Sequence, residues 1–501
     1  MLVSGFAGPR DRSGVWILSL ATSALRKLRD GAVEGAVLSP DESRIAYFRV
    51  SVPEIWIMKV SGEDARMLYR VPPGRSHGER LAWSPDGRRI AFETSNDIGT
   101  ESAIESYDLE TGRAGVIVSD PKVSSEFCWA RDGRIIYTRL EDAPNEKSSN
   151  LWEVKVDPRT GRTRGAPRRL TNWEGFLFDS LGISIDGRRL FFIRLRHQNN
   201  VYLGQLEGNG TRLTQSKRFS FEQWTNWPTG WTRDSRAILF SSDRHGELDL
   251  FQQEIDEKEM QALTTGQEQK RDAKPSPDGR WILYLAWPKS QGKIQTGEGQ
   301  LMRVNVAGGP PEIVFRVAGY SGLGPVQALA SLSAEGPPTF RCPLSAHARC
   351  VLSEQVLDQL VFTAFDPVEG RKGELTRIAA ASVDFWDLSP DGQWIALGKS
   401  AETNGHIRLV PLAGQAPREI SAGDWTHLQS VAWAADGKSL FVSGFASKGG
   451  PLLHVSLEGK TLLLYRGNKY TENPSPSPNG RYLAWGEMVE EGNAWVVDMP
   501  R

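Results

Sequence analysis

Hydrophobic and polar residues follow one short pattern that recurs along the chain. In residues 81–92 (LAWSPDGRRIAF) an apolar run ends in Ser-Pro-Asp-Gly, and an alternating stretch follows in which Ile90 and Phe92 share one face. Gly87 accepts a positive φ and Asp86 can bond its own backbone, so the Asp-Gly pair indicates a tight turn. The pattern predicts two antiparallel strands joined by this turn.

Similar sequence motifs recur at regular intervals. Nine copies are centred on Asp41, Asp86, Asp132, Asp186, Asp234, Asp278, Asp391, Asp436 and Asn479, and a degenerate tenth lies near Asp358 (SEQVLDQLVFTAF). Most neighbouring copies lie 43 to 54 residues apart, and the two intervals beside Asp358 are 80 and 33. A period in the forties with strand-like content is typical of a four-stranded propeller blade.

Further strands are predicted after each pair. Third strands are expected at 55–60, 151–156 and 201–206, and a short fourth strand at 65–69. Each unit then has two apolar faces, which blades bury by stacking around an axis. The predicted fold is all-β, a tandem β-propeller of about ten four-stranded repeats.

The copies suggest two rings. We predict a partial N-terminal β-propeller of about three and a half blades at 1–165, and a C-terminal β-propeller of about seven blades at 166–501, each about 48 residues long. The chain is expected to begin inside a blade, since 15–20 resembles a third strand and 25–28 a fourth. An incomplete ring exposes blade faces, which predicts self-association through residues 1–165 or early proteolysis there.

Composition agrees with a turn-rich globular fold and excludes some partners. The chain has 17 Trp to fill cores between blades, with 50 Gly and 29 Pro. Its net charge is −1, so bulk electrostatics favour neither nucleic acid nor an anionic membrane. No apolar run approaches the ~20 residues of a membrane-spanning helix. The first residues lack the charged and apolar regions of a signal peptide.

The cysteines give two expectations. Cys342 and Cys350 lie in one irregular stretch (FRCPLSAHARCVL), where they either stay reduced or form a disulfide, which would indicate an oxidising compartment. Cys128 lies within an apolar strand and is predicted to be a buried small hydrophobe.

Catalytic signatures are missing from the sequence. It contains no Gly-x-Ser-x-Gly nucleophile elbow, no His-Glu-x-x-His, no phosphate-binding Gly-rich loop, no EF-hand loop and no kinase motif. Seven histidines are scattered over different repeats: His77, His197, His245, His347, His406, His427 and His454. No catalytic, cofactor or metal residue is therefore predicted, and turn stabilisation accounts for the repeated Asp.

Three further stretches have alternative interpretations. Residues 242–251 (SDRHGELDLF) either hold a cation or stabilise a turn, the latter being favoured. The irregular region 288–343 is either a ligand-binding loop or an insertion without a role. The aromatic segment 219–231 (FSFEQWTNWPTGW) is expected to divide between core and binding surface.

The repeated sequence motif resembles the WD40-like PD40 repeat of TolB-type β-propellers. Residues 150–173 and 340–377 are similar to the propeller regions of acidobacterial sensor proteins, whose upstream part is a winged-helix or Ser/Thr-kinase domain. The resemblance implies an extracytoplasmic, periplasmic location, because a membrane helix commonly precedes such propellers. This chain shows neither an effector domain nor that helix, so the resemblance implies only the role of the propeller.

These observations predict a non-catalytic binding scaffold, the sensor or interaction part of a bacterial signalling protein. Its ligand is expected to be a protein, peptide or glycan, with no cofactor. One alternative is an enzyme with an axial site, such as a metal-dependent polysaccharide lyase or a hydrolase, which needs His and carboxylates converging on one ion. Another is an envelope adaptor resembling TolB.

Overall fold

The structure is a computed structural model in which nearly all regular structure is β-strand. It describes residues 2–5, 14–30, 33–49, 52–96, 101–142, 148–184, 186–220, 224–245, 247–266, 268–288, 298–318, 338–400, 405–425, 427–446, 449–468 and 470–499. Within these ranges the only helix is a 3-10 turn at Ala380–Ser382. The all-β prediction is confirmed.

The chain forms two compact units. The N-terminal unit is Met1–Arg196 with Glu491–Arg501, and the C-terminal unit is His197–Glu490. The predicted boundary at 165/166 does not coincide with this division, because the repeat around Asp186 and the last residues of the chain both belong to the N-terminal unit.

Among the residues described, the N-terminal unit contains four antiparallel sheets and part of a fifth. Their strands are β1 (Leu2–Gly5), β2 (Gly14–Leu18) and β3 (Leu25–Asp30); β4 (Val33–Leu38), β5 (Arg44–Arg49), β6 (Glu54–Lys59) and β7 (Arg66–Arg70); β8 (Arg75–Trp83), β9 (Arg89–Asn96), β10 (Ser102–Asp108) and β11 (Arg113–Ser119); β12 (Val123–Trp129), β13 (Arg134–Leu140), β14 (Ser149–Val156) and β15 (Thr163–Arg169); and β16 (Leu177–Ile183) with parts of β17 (Arg189–Glu207) and β40 (Tyr482–Asp498). The predicted third and fourth strands are confirmed at β6, β7 and β14.

The C-terminal unit contains six sheets among the residues described. The first five are β19 (Asn226–Trp231), β20 (Ala237–His245), β21 (Glu247–Glu254) and β22 (Met260–Ala262); β23 (Gln269–Pro275), β24 (Trp281–Trp287), β25 (Gly299–Asn305) and β26 (Glu312–Val317); β27 (Thr339–Arg341), β28 (Cys350–Val356), β29 (Gln359–Asp366) and β30 (Gly370–Ala379); β31 (Phe385–Leu388), β32 (Trp394–Gly398), β33 (His406–Pro411) and β34 (Arg418–Ser421); and β35 (Leu428–Trp433), β36 (Ser439–Gly444), β37 (Pro451–Ser456) and β38 (Thr461–Arg466). The sixth joins β39 (Tyr470–Pro476) and the first part of β40 to the last part of β17 and β18 (Arg212–Arg218).

The strands β17 and β40 both run through the boundary between the units. In the N-terminal unit, β17 pairs with β16, and the Met499 amide donates to the Arg188 carbonyl at 2.7 Å. In the C-terminal unit, β17 pairs with β18, and the Leu206 amide donates to the Arg481 carbonyl at 2.8 Å. The last sheet of each unit therefore combines strands that are distant in sequence, an arrangement that leaves fewer free edges.

Apolar clusters fill the spaces between neighbouring sheets. In the C-terminal unit six clusters follow one another around the ring, and one of them joins the sixth sheet to the first through Val201, Trp231 and Phe240. The N-terminal unit has four such clusters among its described residues, each between consecutive sheets. The tryptophans contribute as expected, and Trp287 and Trp485 are among the largest fully buried side chains. The partial character of the N-terminal ring stays a prediction.

The Ser-Pro-Asp-Gly turn is built by a repeated set of hydrogen bonds. Ser276 Oγ donates to Asp278 Oδ1 at 2.5 Å and accepts from the Trp281 amide at 3.0 Å, while Asp278 Oδ1 also accepts from the Arg280 amide at 3.1 Å. The same pattern recurs at Ser39, Ser84, Ser184, Thr232, Ser389 and Ser477. The structural interpretation of the repeated Asp is confirmed.

One blade uses a disulfide where the others use this turn. Cys342 and Cys350 are bonded, with Cα atoms 4.2 Å apart, and they close the connection between β27 and β28. Asp358, at the centre of the degenerate tenth copy, lies instead in the hairpin between β28 and β29. The tenth repeat exists, but its turn lies at residues 342–350. The disulfide closes this turn, so the Ser and Asp of the other copies are not needed there.

A swap of turn residues tests the hydrogen-bond account. Ser276→Ala removes both bonds of a fully buried hydroxyl and should lower the free energy of unfolding of the C-terminal unit by about 1–2 kcal/mol. Ala434 occupies the same turn position in another blade, where the backbone bonds are equivalent and the hydroxyl is missing. Ala434→Ser should therefore raise stability by about 0.5–1 kcal/mol in urea unfolding followed by hydrogen exchange. If both substitutions changed the free energy of unfolding in the same direction and by the same amount, the hydrogen-bond account would be contradicted.

The turn also gives a pH dependence. Hydrogen bonds from Ser39, and then from the Ser43 hydroxyl and amide, lower the pKa of Asp41 to about 2. An unfolded Asp titrates near pH 3.9, so the contribution of Asp41 to stability is complete above that pH and is lost as the pH falls towards 2. We expect Ser39→Ala to raise the pKa of Asp41 in an NMR titration of the carboxyl carbons. Ser43→Ala should raise it less, and an unchanged pKa in Ser39→Ala would refute the mechanism.

Candidate functional site

The first strands of the six sheets in the C-terminal unit, here called the inner strands, are linked to one another in a closed circle. The links run from side chains to the backbone or side chain of the next inner strand: Trp231 Nε1 to the Ser475 carbonyl (2.8 Å), the Asn473 amide to Ser430 Oγ (3.0 Å), the Trp433 amide to Asp387 Oδ2 (2.8 Å), Trp386 Nε1 to Thr339 Oγ1 (2.9 Å), Arg271 to the Pro338 carbonyl (2.9 Å), and Lys274 Nζ to the Thr229 carbonyl. The inner strands therefore form a rigid wall around the axis of this ring.

A cavity of about 150 Å³ lies inside this wall. All six inner strands line it, and prolines and tryptophans supply much of its apolar surface, among them Pro228, Trp231, Pro275, Trp386 and Trp433. A water molecule in the liquid takes about 30 Å³, so the cavity is large enough for one or two side chains or a small molecule.

Charged side chains from three successive inner strands meet in the cavity. Arg341 Nε lies 3.3 Å from Asp387 Oδ1, and Arg341 also donates to the Phe340 carbonyl at 2.9 Å. Burial raises the pKa of Asp387, and the charges of Arg341 and Lys274 offset this effect only in part. The partly buried carboxylate therefore pairs with Arg341 and also feels the charge of Lys274.

A fourth charge sits where the disulfide-closed loop meets the cavity. Arg233, in the turn after β19, donates to the Leu344 carbonyl, and burial lowers the pKa of this arginine. The Ser345 amide donates to the Pro390 carbonyl at 3.0 Å. The disulfide-closed loop, residues 342–350, is therefore tied to the turns of two other blades at the edge of the cavity.

The corresponding positions show that the repeat itself does not require these charges. The residue four places before the turn Asp or Asn is Val37, Ala82, Cys128 or Gly182 in the N-terminal unit, and Gly230, Lys274, Asp387, Ala432 or Ser475 in the C-terminal unit. Lys274 and Asp387 are thus charged at a position that packing alone fills with small or apolar residues. Lys274 and Asp387 can be found in the sequence by aligning the copies on their turns. Arg341 cannot, because a disulfide-closed loop replaces the turn in its blade.

The inner strands of the N-terminal unit carry acidic groups nearer their starts. Glu126 Oε2 accepts from Arg80 Nε at 2.8 Å and from the Leu181 amide at 3.0 Å, which joins β8, β12 and β16. Burial raises the pKa of Glu126 and also that of Glu34 on β4. These bonds hold consecutive blades together, and we assign the group a structural role.

The histidines remain distributed over the two units. His77 stacks on Phe48, His454 is buried against Phe441, His406 lies 3.7 Å from Glu419 Oε2, and His427 packs near Phe445. In the part of the chain that the structure describes, no three His, Cys, Asp or Glu side chains are placed to hold a metal ion. The axial enzyme alternative thus has no metal set in these residues.

Residues 242–251 join a network between two blades. The Asp243 carboxylate accepts from the Thr225 amide at 3.0 Å, which ties β20 to the start of β19. Asp249 forms a buried ion pair with Lys270 at 2.9 Å and lies 3.4 Å from His245. Leu250 lies in the core between β20 and β24, as expected.

The remaining sequence expectations have separate outcomes. Cys128 is buried, which raises the pKa of its thiol to about 12. In the aromatic segment 219–231, Phe219 and Trp231 are core residues and Trp224 is exposed, and a binding role for the exposed part stays a prediction. Much of the irregular region 288–343, at 289–297 and 319–337, lies outside the described residues.

Comparisons with known proteins give distant similarities. No protein-family model matches the chain. An uncharacterized protein of Agrobacterium fabrum is 25% identical over 217 residues, which are 42% of this chain and 64% of that protein, less than two thirds of its length. Among solved structures, a TolB from Agrobacterium tumefaciens is 16% identical, with 62% of this chain and 91% of that chain covered and a TM-score of 0.27. The chain is a tandem β-propeller.

A third similar protein is an enzyme. An oligogalacturonate lyase in complex with manganese is 13% identical, with 71% of this chain and 83% of that chain covered and a TM-score of 0.31. Within the described residues, no helix has the length and apolar character needed to cross a membrane.

Proposed function

We propose that this tandem propeller is a non-catalytic binding scaffold whose C-terminal unit holds a segment of a partner protein in the axial cavity. The observation that carries the proposal is the cluster of Lys274, Arg341 and Asp387 in the cavity, in which Lys274 and Asp387 stand at a turn-aligned position that is apolar or small in the N-terminal unit. Small or apolar residues fill the turn-aligned position in the N-terminal unit, so packing does not require the charges of Lys274 and Asp387, and a binding role accounts for them better.

The arrangement suits binding because the wall is rigid before a ligand arrives. Lys274 is held by the Thr229 carbonyl and Arg341 by the Phe340 carbonyl and Asp387. Side chains that are already ordered lose little conformational entropy when they bind a ligand. Prolines and tryptophans around them supply the apolar surface typical of a binding pocket.

An array of capped hexapeptides tests the proposal. Wild-type protein should retain a subset of the array, and Ala435→Trp should retain none of that subset, because Ala435 lines the cavity and an indole there would fill it. Ala413→Trp, at an exposed position in the β33–β34 hairpin, should bind like the wild type. Mass spectrometry should recover the bound peptides uncleaved. Binding that survives Ala435→Trp, or cleavage of bound peptides, would contradict the proposal.

A further inference from the structure

We propose that Asn209 is a site of spontaneous deamidation, at which the chain converts an asparagine to aspartate and isoaspartate as it ages. The sequence contains three Asn-Gly pairs, which begin at Asn209, Asn404 and Asn479. Asn404 lies outside the described residues, and the other two belong to the C-terminal unit. Both of these share the same dipeptide and both are exposed, so a difference in their reactivity has to come from the surrounding structure. This inference does not depend on the proposed binding function.

The reaction needs no reagent other than water. The backbone nitrogen of the glycine attacks the Cγ atom of the asparagine, and a new N–Cγ bond forms while the Cγ–Nδ2 bond breaks and ammonia leaves with the proton of the glycine amide. Water then opens the resulting succinimide ring on either side, which gives aspartate or isoaspartate. Glycine favours the attack because it has no side chain to shield its nitrogen. The asparagine side chain has to rotate onto that nitrogen, so hydrogen bonds to either group slow the reaction.

Both reacting groups are available at Asn209. This residue lies at the tip of the hairpin between β17 and β18, where Gly208, Asn209 and Gly210 have positive φ values of 59°, 57° and 85°. Pairing of Glu207 with Arg212 closes the hairpin below the tip. Among the residues that the structure describes, neither the Asn209 carboxamide nor the Gly210 amide has a hydrogen-bond partner. No bond therefore has to break before the attack.

The same groups are bound at Asn479. Its Oδ1 accepts from Ser477 Oγ at 2.8 Å and from the Arg481 amide at 3.0 Å. The Gly480 amide, which would be the attacking group, donates to the Ser477 carbonyl at 2.8 Å. Attack at Asn479 has to break these bonds first, and the combined cost of two or more such bonds lowers a rate about tenfold. We therefore expect deamidation at Asn209 and protection at Asn479.

The product should loosen a contact between the fifth and sixth sheets of the C-terminal unit. Gly210 is buried, and a Cβ atom on it would lie 3.1 Å from Phe441 Cζ and 3.5 Å from His454 Cδ2, which belong to β36 and β37. Isoaspartate adds one main-chain carbon directly before Gly210, for which this close contact leaves no room. Burial lowers the pKa of His454, so a loosened hairpin should let this pKa rise towards its usual value.

The test follows both sites in the full chain during incubation at mildly alkaline pH, where the glycine amide loses its proton more readily. Trypsin releases residues 197–212 and 470–481, each with one Asn-Gly pair, and tandem mass spectrometry locates the gain of one mass unit. In the folded chain, Asn209 should convert about tenfold faster than Asn479. In urea the two rates should become similar. Equal rates in the folded chain, or conversion at Asn209 only after unfolding, would overturn the proposal.

Two variants test the explanation. Ser477→Ala removes one bond to Asn479 and should speed its conversion, with hydrogen exchange in β39 showing that the sheet stays folded; an unchanged rate would mean that hydrogen bonds do not protect this site. Asn209→Gly suits the positive φ and should remove the fast conversion from residues 197–212. In an NMR titration the pKa of His454 should rise during incubation of the wild type and stay constant in Asn209→Gly. A constant pKa in the wild type while Asn209 converts would overturn the effect on the sheet contact.

Discussion

Lys270→Met should lower the free energy of unfolding of the C-terminal unit by about 3–5 kcal/mol. Lys270 and Asp249 are nearly inaccessible, with side chains 3% and 1% exposed, and their charged atoms are 2.9 Å apart. Removing the ammonium leaves the Asp249 carboxylate buried without its main countercharge. The remaining contacts, a Thr264 hydroxyl at 3.4 Å and His245 at 3.4 Å, are too long to replace it.

The measurement is urea unfolding monitored by hydrogen exchange in peptides of β21 and β23, because two units need not unfold in one transition. The double variant Asp249→Leu with Lys270→Met should recover most of the loss, since two apolar residues do not carry the desolvation cost of the ions. Arg377→Ala, at the exposed pair with Glu374, should change the free energy of unfolding far less and serves as the control. A loss of similar size in the double variant would show that packing, not charge, explains the effect.

The sequence predicts the blades well because their signals are local. Alternation around Ile90 and Phe92 and the turn at Asp86 require only neighbouring residues, and the structure has strands on both sides of that turn. The sheet that contains β17 and β40 has no such local signal. Nothing in residues 189–207 or 482–498 alone indicates that β17 and β40 pair, since that pairing joins segments almost 300 residues apart.

The residues of the candidate site can likewise be predicted from the sequence only where their signal is local. Lys274 and Asp387 stand in ordinary copies of the repeat, so their charge at a normally apolar position is visible once the copies are aligned. Their meeting with Arg341 is not visible, because it depends on which inner strands are neighbours and on a blade whose turn is a disulfide. Charge pairing across an axis is a tertiary property, and no local period records it.

The disulfide-closed loop should matter for both stability and binding. Cys342→Ser with Cys350→Ser should lower the free energy of unfolding of the C-terminal unit by about 2–3 kcal/mol, because the bond closes a short loop and restricts the unfolded chain. The blade has no Ser-Asp turn there to replace it. The loop should then exchange amide hydrogens faster, and its bonds to Arg233 and Pro390 should loosen.

Reduction of the wild type supplies the matched control for that variant. Dithiothreitol should shift wild-type unfolding to the midpoint of the double serine variant and leave the variant itself unchanged, since Cys128 is buried and unpaired. Because Arg233 and Leu344 line the same cavity, the loosened loop should also weaken binding of the hexapeptides that the wild type retains, by faster dissociation. Equal unfolding midpoints for oxidised wild type and variant would mean that neighbouring blades fix the loop without the bond. This blade would then be stabilised by its core around Phe340 and Leu352 together with the bonds from its loop to Arg233 and Pro390.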